Sequence, residues 1–88
     1  LLNMANGEST HIRAIPAYKK CVELADRLNL KDKKECAYIK IAGRFEALGE
    51  YEKTASYLRR ALRLNPQNTD TWGKLQRIQH LRSGYKKY

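Results

Sequence analysis

Proline and glycine are scarce in this chain, two and five residues among 88. So few breakers exclude a collagen-like repeat and leave room for long uninterrupted elements. Cysteine is as sparse. Cys21 and Cys36 are too few for the disulfide framework of a small secreted scaffold, and the expectation is a reduced intracellular chain, cytoplasmic or nuclear, with both thiols packed as small hydrophobes. Nothing approaches the ~18 successive apolar residues of a membrane span. The first residues lack the charged head, apolar run and cleavage site of a signal peptide, and Leu in first place is what a processed or excised chain would show. Acidic residues are the last shortage. Nine Asp and Glu stand against 18 Lys and Arg, a formal net charge of +9. Such an excess points to acidic partners rather than to any particular fold.

What remains is 42% apolar, too hydrophobic for disorder by composition. The length allows one domain, 1–88, with a small core. The apolar residues recur at three- and four-residue steps and nowhere alternate with period two, which predicts helices and no strands. Gly7 and the polar Glu8-Ser9-Thr10 read as a loop, so 1–15 is expected to be a partial helix and loop. Pro16 suits the first turn of a helix over 16–29, carried by Tyr18, Cys21, Val22, Ala25 and Leu28. Lys31-Asp32-Lys33-Lys34 interrupts the pattern. Ala37, Tyr38, Ile41, Ala42, Phe45 and Leu48 form the next stripe, closed by Gly49 as a C-cap glycine. A third helix runs from about Tyr51 to Leu64 on Ala55, Tyr57, Leu58, Ala61 and Leu62, and stops at Asn65-Pro66. Thr69 or Asp70 can cap a fourth helix, carried by Trp72, Leu75, Ile78 and Leu81, within a cap and basic tail over 69–88.

The stripes repeat. Val22, Ala25 and Leu28 precede Leu58, Ala61 and Leu64 by 36 residues, and Tyr38 and Ile41 precede Trp72 and Leu75 by 34. Helix pairs recurring at this period are the sign of an α-solenoid, in which each pair buries its apolar face only by stacking on the next. Within 35–68, Tyr38-x2-Ile41-Ala42-x2-Phe45, Gly49-Glu50-Tyr51, Thr54-x3-Leu58, Ala61-Leu62 and Leu64-Asn65-Pro66 follow one another. This segment resembles a tetratricopeptide repeat, with Thr54 where the family usually has Ala. Trp72-x2-Leu75 begins a further half repeat in which Gln76 and Gln79 replace the small and aromatic residues, as in a solvating cap. The resemblance implies an all-α solenoid of antiparallel helix pairs, a right-handed stack of about two to two and a half repeats at the C-terminal end of an array.

Catalytic chemistry finds no convergent set of groups. His11, read in a loop, and His80 have no carboxylate at relay spacing. Cys21, Cys36 and the histidines lack every paired metal-ligand spacing, and the glycines form no phosphate loop, so no metal, cofactor or catalytic residue is expected. Tyr38, Phe45, Tyr51, Tyr57 and Trp72 read as packing residues. The resemblance implies a protein–protein interaction scaffold whose groove is lined by the first helix of each pair: Cys36, Ile39, Lys40, Gly43 and Glu46, then Asp70, Gly73, Lys74, Arg77 and His80. Lys40, Lys74 and Arg77 would meet an acidic peptide and Ile39 would grip an apolar side chain. Ile39 and Gly43 stand where the family's chaperone-carboxylate clamp has Lys and Asn, so that clamp is not expected. Two alternatives stand beside this reading. One is nucleic-acid backbone binding through Arg59, Arg60, Arg63, Lys86 and Lys87. The other is self-association through exposed repeat ends, including Leu1 and Leu2.

Overall fold

The computed structural model describes the backbone of residues 2–86 and the side chains of 11–82. Those residues form four helices and no strand: α1 (Leu2–Arg27), α2 (Lys31–Ala47), α3 (Tyr51–Leu64) and α4 (Thr69–Lys86). Each packs chiefly on its neighbour in sequence, α1 on α2, α2 on α3 and α3 on α4. The body is accordingly thin, 44 × 34 × 16 Å. This is the all-helical repeat architecture expected from the apolar stripes.

Two of the three turns share one geometry. Asn29 has φ 57° and Gly49 φ 78°. Around them Leu30 N–H donates to Ala25 O (2.8 Å) and Glu50 N–H to Phe45 O (2.9 Å), while Asn29 N–H and Gly49 N–H reach Asp26 O and Glu46 O. Both are Schellman caps, in which a left-handed residue lets the chain fold back onto the last helical carbonyls. Glycine takes that conformation without Cβ strain, and asparagine is the residue that tolerates it next best. Open space surrounds the position of a Cβ on Gly49. Gly49→Ala should therefore act through backbone strain alone and lower stability by about 1 kcal/mol, read by urea denaturation. An unchanged midpoint would remove the left-handed assignment.

The third turn is held from a distance. Pro66 stops α3, and Asn68 caps α4: its Oδ1 accepts from Thr71 N–H (3.2 Å) and its carbonyl from Trp72 N–H (3.2 Å). The cap is thus Asn68, one or two residues before Thr69 and Asp70. The Asn68 amide also donates to Glu35 Oε2 on α2 (2.8 Å), and Asn65 Nδ2 lies 3.5 Å from Glu35 Oε1. Glu35 is 9% exposed, a buried carboxylate with its oxygens directed at one loop.

The core has two lobes. Ala42, Ala55, Leu58, Leu62, Leu75 and Ile78 join α2, α3 and α4, while Ile15, Ile41 and Phe45 join α1 to α2. Tyr57 packs against both lobes, stacked on Phe45 at 5.7 Å and tilted to Tyr38 at 6.0 Å. Ala42, Ala55 and Ala61 are essentially inaccessible, consistent with close helix crossings. Thr54 is buried too, and its hydroxyl is satisfied by donating to Glu50 O at 2.9 Å.

Several expectations are corrected. Residues 7–10 are helical, not a loop, and Pro16 lies inside α1 rather than in its first turn. A proline there leaves the Ile12 carbonyl without its helical donor. Packing outweighs that loss: Ile15 is buried against α2, with Tyr18 and Val22 beside it. The basic run at 31–34 is no linker but the first turn of α2, because Asn29 turns the chain earlier. Leu28, placed in the core stripe by its spacing, sits in that turn and is 64% exposed. Both cysteines are exposed free thiols, since their positions face away from the helix contacts. Trp72 is 46% exposed, its indole N–H donating to Pro66 O at 2.6 Å. His11 lies in α1, where its Nδ1 is 3.1 Å from Arg44 Nη1. Leu2 opens α1 and Lys86 closes α4 in backbone only, whereas their side chains, and Leu1 and Lys87 altogether, lie outside the described residues.

Candidate binding surfaces

The residues opposite the core stripe of α2 form its open face. Ala37, Ile41, Ala42 and Phe45 point inward, which turns Cys36, Lys40 and Gly43 to solvent and leaves Ile39 and Glu46 half-buried at the edge. On α4 the buried residues are Thr71, Leu75 and Ile78, and Asp70, Gly73, Lys74, Arg77 and His80 are exposed. One bond brings these two faces together: Arg77 Nη2 donates to Glu46 Oε2 at 2.6 Å, across 31 residues of sequence. The expected contact residue Arg77 is therefore already engaged, and Lys40 and Lys74 are the basic residues on this face with no carboxylate partner among the described residues. Lys40 does lean toward the Tyr18 ring on α1, 5.8 Å from its centroid, as does Arg44. Its ammonium thus reaches across the α1–α2 seam.

Two glycines on this face have no structural task. Open space surrounds a Cβ built on Gly43 or Gly73. Glycine inside a helix costs roughly 0.5–1 kcal/mol against alanine. What it provides is access, since a ligand can approach the bare backbone more closely than it could any side chain.

The three arginines of α3 are all exposed and differ in what lies beside them. Arg60 lies over the Tyr57 ring, 4.8 Å from its centroid, on the side of α2. Arg59 and Arg63 turn toward α4, where with Leu62, Trp72, Leu75 and Gln79 they border a cleft of about 430 Å³. Spacing in the sequence marked all three as one basic cluster, and at ~100° per residue they share one exposed arc of α3. Arg82, at the far end of α4, is bound to Glu52 of α3 at 2.9 Å. At the opposite end of the molecule Lys34 donates to Asp26 at 2.8 Å. That hydrogen bond raises the lysine's pKa above its ordinary value.

Metal and membrane chemistry find no footing among the described residues: no group of three His, Cys, Asp or Glu is placed to hold a metal ion, and no helix is long and apolar enough to cross a membrane. The helix pair α2–α3, the Glu35-held loop and the opening turns of α4 form one continuous unit, and residues 37–78 match the family model of the tetratricopeptide repeat. That segment, just under half of the chain, is similar to a tetratricopeptide repeat. No curated protein and no solved structure matches the chain. Repeats of this family are typically non-catalytic modules of protein–protein interaction, which is the function class the matched segment supports. The matched span also takes in Trp72 to Ile78 of α4.

Proposed function

We propose that this chain binds a segment of a protein partner on the face shared by α2 and α4, with Lys40 and Lys74 meeting acidic side chains and Ile39 an apolar one. The observation that carries the reading is the pair of helix-interior glycines, one on each lining helix, that packing does not require. Preordered helices leave most of the ordering entropy to the incoming peptide, so selectivity would come from a few charged contacts at the rim. The nucleic-acid alternative rests, among the described residues, on the exposed Arg59, Arg60 and Arg63 alone. Self-association would bring two chains of +9 together.

The test is a peptide array probed with the wild-type chain and with Lys40→Glu/Lys74→Glu. Acidic peptides selected by the wild type should bind the double variant about tenfold or more weakly, with helicity by circular dichroism unchanged. Affinity that survives both reversals would exclude the α2–α4 face. Selection of basic or uncharged peptides would remove the lysines from the reading.

A further inference from the structure

The cleft between α3 and α4 lies on the other side of α4 from the face just described. At ~100° per residue, Trp72, Leu75 and Gln79 point nearly opposite to Asp70, Lys74 and Arg77. The two surfaces therefore stand or fall separately. Leu62 and Leu75 form the floor, Trp72 forms one wall and stays 46% exposed, and Arg59 and Arg63 sit on the α3 rim one helical turn apart. Trp72 is held in place by its own hydrogen bond to the Pro66 carbonyl, so the ring is a fixed wall and not a loose surface side chain.

We infer that this cleft is a docking site for an acidic amphipathic helix of a protein partner, whose apolar side chains enter between Trp72 and Leu62 while its carboxylates pair with Arg59 and Arg63. Three features select that occupant. The first is charge. Neither arginine has a carboxylate within ion-pair distance among the described residues, in contrast to Arg77 and Arg82, which α4 uses internally. Two guanidiniums at i and i+4 match carboxylates repeated one turn apart on a facing helix, each able to accept two hydrogen bonds. The second is shape. Two adjacent helices bound the cleft, and Trp72, Leu75 and Gln79 run along it for about 10 Å, two turns of helix. A third helix laid there would pack ridge into groove as α1, α2 and α3 already do with one another. The third is the exclusion of a second copy. Its net charge of +9 would repel the arginine rim, and α1, whose exposed Ile12 and Leu24 make it the apolar candidate, carries Lys20 and Arg27 one turn either side of Leu24. An exposed tryptophan and an arginine flanking a leucine floor also make the kind of anchor at which interface energy concentrates.

Trp72 is the chain's one tryptophan, so its emission reports on this cleft alone. The probe is a synthetic amphipathic peptide of about 16 residues, ~24 Å of helix, with Leu on one stripe and Glu flanking it. The same peptide with Lys for Glu and a single-stranded RNA oligonucleotide are the comparisons. The acidic peptide should produce a saturable blue shift of Trp72 emission. Arg59→Glu/Arg63→Glu should weaken its binding about tenfold or more, while Arg13→Glu/Lys19→Glu, an equal change of net charge on exposed positions of α1, should change it less than about twofold. Arg59→Gln/Arg63→Gln should fall between, with circular dichroism confirming that all variants keep their helices. Four results would overturn the inference: no saturable shift, binding of the acidic peptide without any change in Trp72 emission, equal binding of the Lys peptide, or a shift produced by RNA and not by the acidic peptide. A doubling of molar mass in the free chain that quenches exposure of Trp72 would assign the cleft to a second copy instead.

Discussion

Truncating Ile78 to alanine should remove about 2–5 kcal/mol, a large part of what holds a domain of this size together. Ile78 is fully buried and meets Leu58, Leu62 and Leu75 in the lobe that anchors α4. The polar residues Gln76 and Gln79 flank it, and of the other apolar residues described on α4 only Leu75 is buried, Trp72 and Leu81 being each at least one-third exposed, so α4 has few other anchors. Because each helix packs chiefly on its sequence neighbours, the loss should stay local: α4 detaches while α1, α2 and α3 keep their mutual contacts. Native-state hydrogen exchange should therefore show the amides of α4 opening well before those of α2 in Ile78→Ala, with a melt that broadens as well as shifts. Uniform loss of protection over all four helices would show instead that the chain unfolds as a single unit. The functional consequence is also specific. Lys74 and the Arg77–Glu46 bridge lie on one side of α4 and Trp72 on the other, so the variant should lose binding on both surfaces together.

The helices whose ends carry strong local signals were legible without the structure. Gly49 and Pro66 bracket α3 because a left-handed cap and a missing N–H act within one turn of themselves. The stripe Tyr38, Ile41, Ala42, Phe45 was legible for the same reason: its spacing places it on one side of one helix. Where local signal and packing conflict, packing decides. Pro16 argues for a break that the contacts of Ile15 with Ile41 and Phe45 do not allow. Asn29 makes the same cap as Gly49 but is a common surface residue, so nothing in its neighbours marks it as a turn. The residues of the open face on α2 and α4 follow from the repeat pattern, and all are exposed or half-buried as such a face requires. Their pairing does not follow. Glu46 and Arg77 lie 31 positions apart and Glu35 and Asn68 lie 33 apart, and distances in sequence of that size say nothing about which side chain meets which. A signal for Glu35 does exist in hindsight: it precedes Ala37 on the inward side of α2, at a helical position where a carboxylate would need a partner.

Replacing Glu35 with alanine should be the most costly change among the polar residues, about 1–3 kcal/mol. Its carboxylate receives the Asn68 amide at 2.8 Å and lies within reach of Asn65, so one α2 side chain holds both ends of the α3–α4 loop. Removing it leaves the Asn68 amide nitrogen without its acceptor in a part-buried site, and the same amide group supplies the α4 cap through its oxygen. The loss thus spreads from a single hydrogen bond to the start of α4, and through Trp72, whose backbone N–H donates to the Asn68 carbonyl, to the wall of the cleft. Glu35→Gln separates charge from geometry. Glutamine keeps one acceptor oxygen for Asn68 and sets an NH2 group beside Asn65, so it should retain most of the stability if the bond to Asn68 matters most. Comparable losses in Gln and Ala would mean that the negative charge, which makes the bond charge-assisted, is what the loop requires. The double variant Glu35→Ala/Asn68→Ala completes a cycle: a coupling energy of about 1 kcal/mol or more is expected, and strict additivity would show that the two residues stabilise the chain independently.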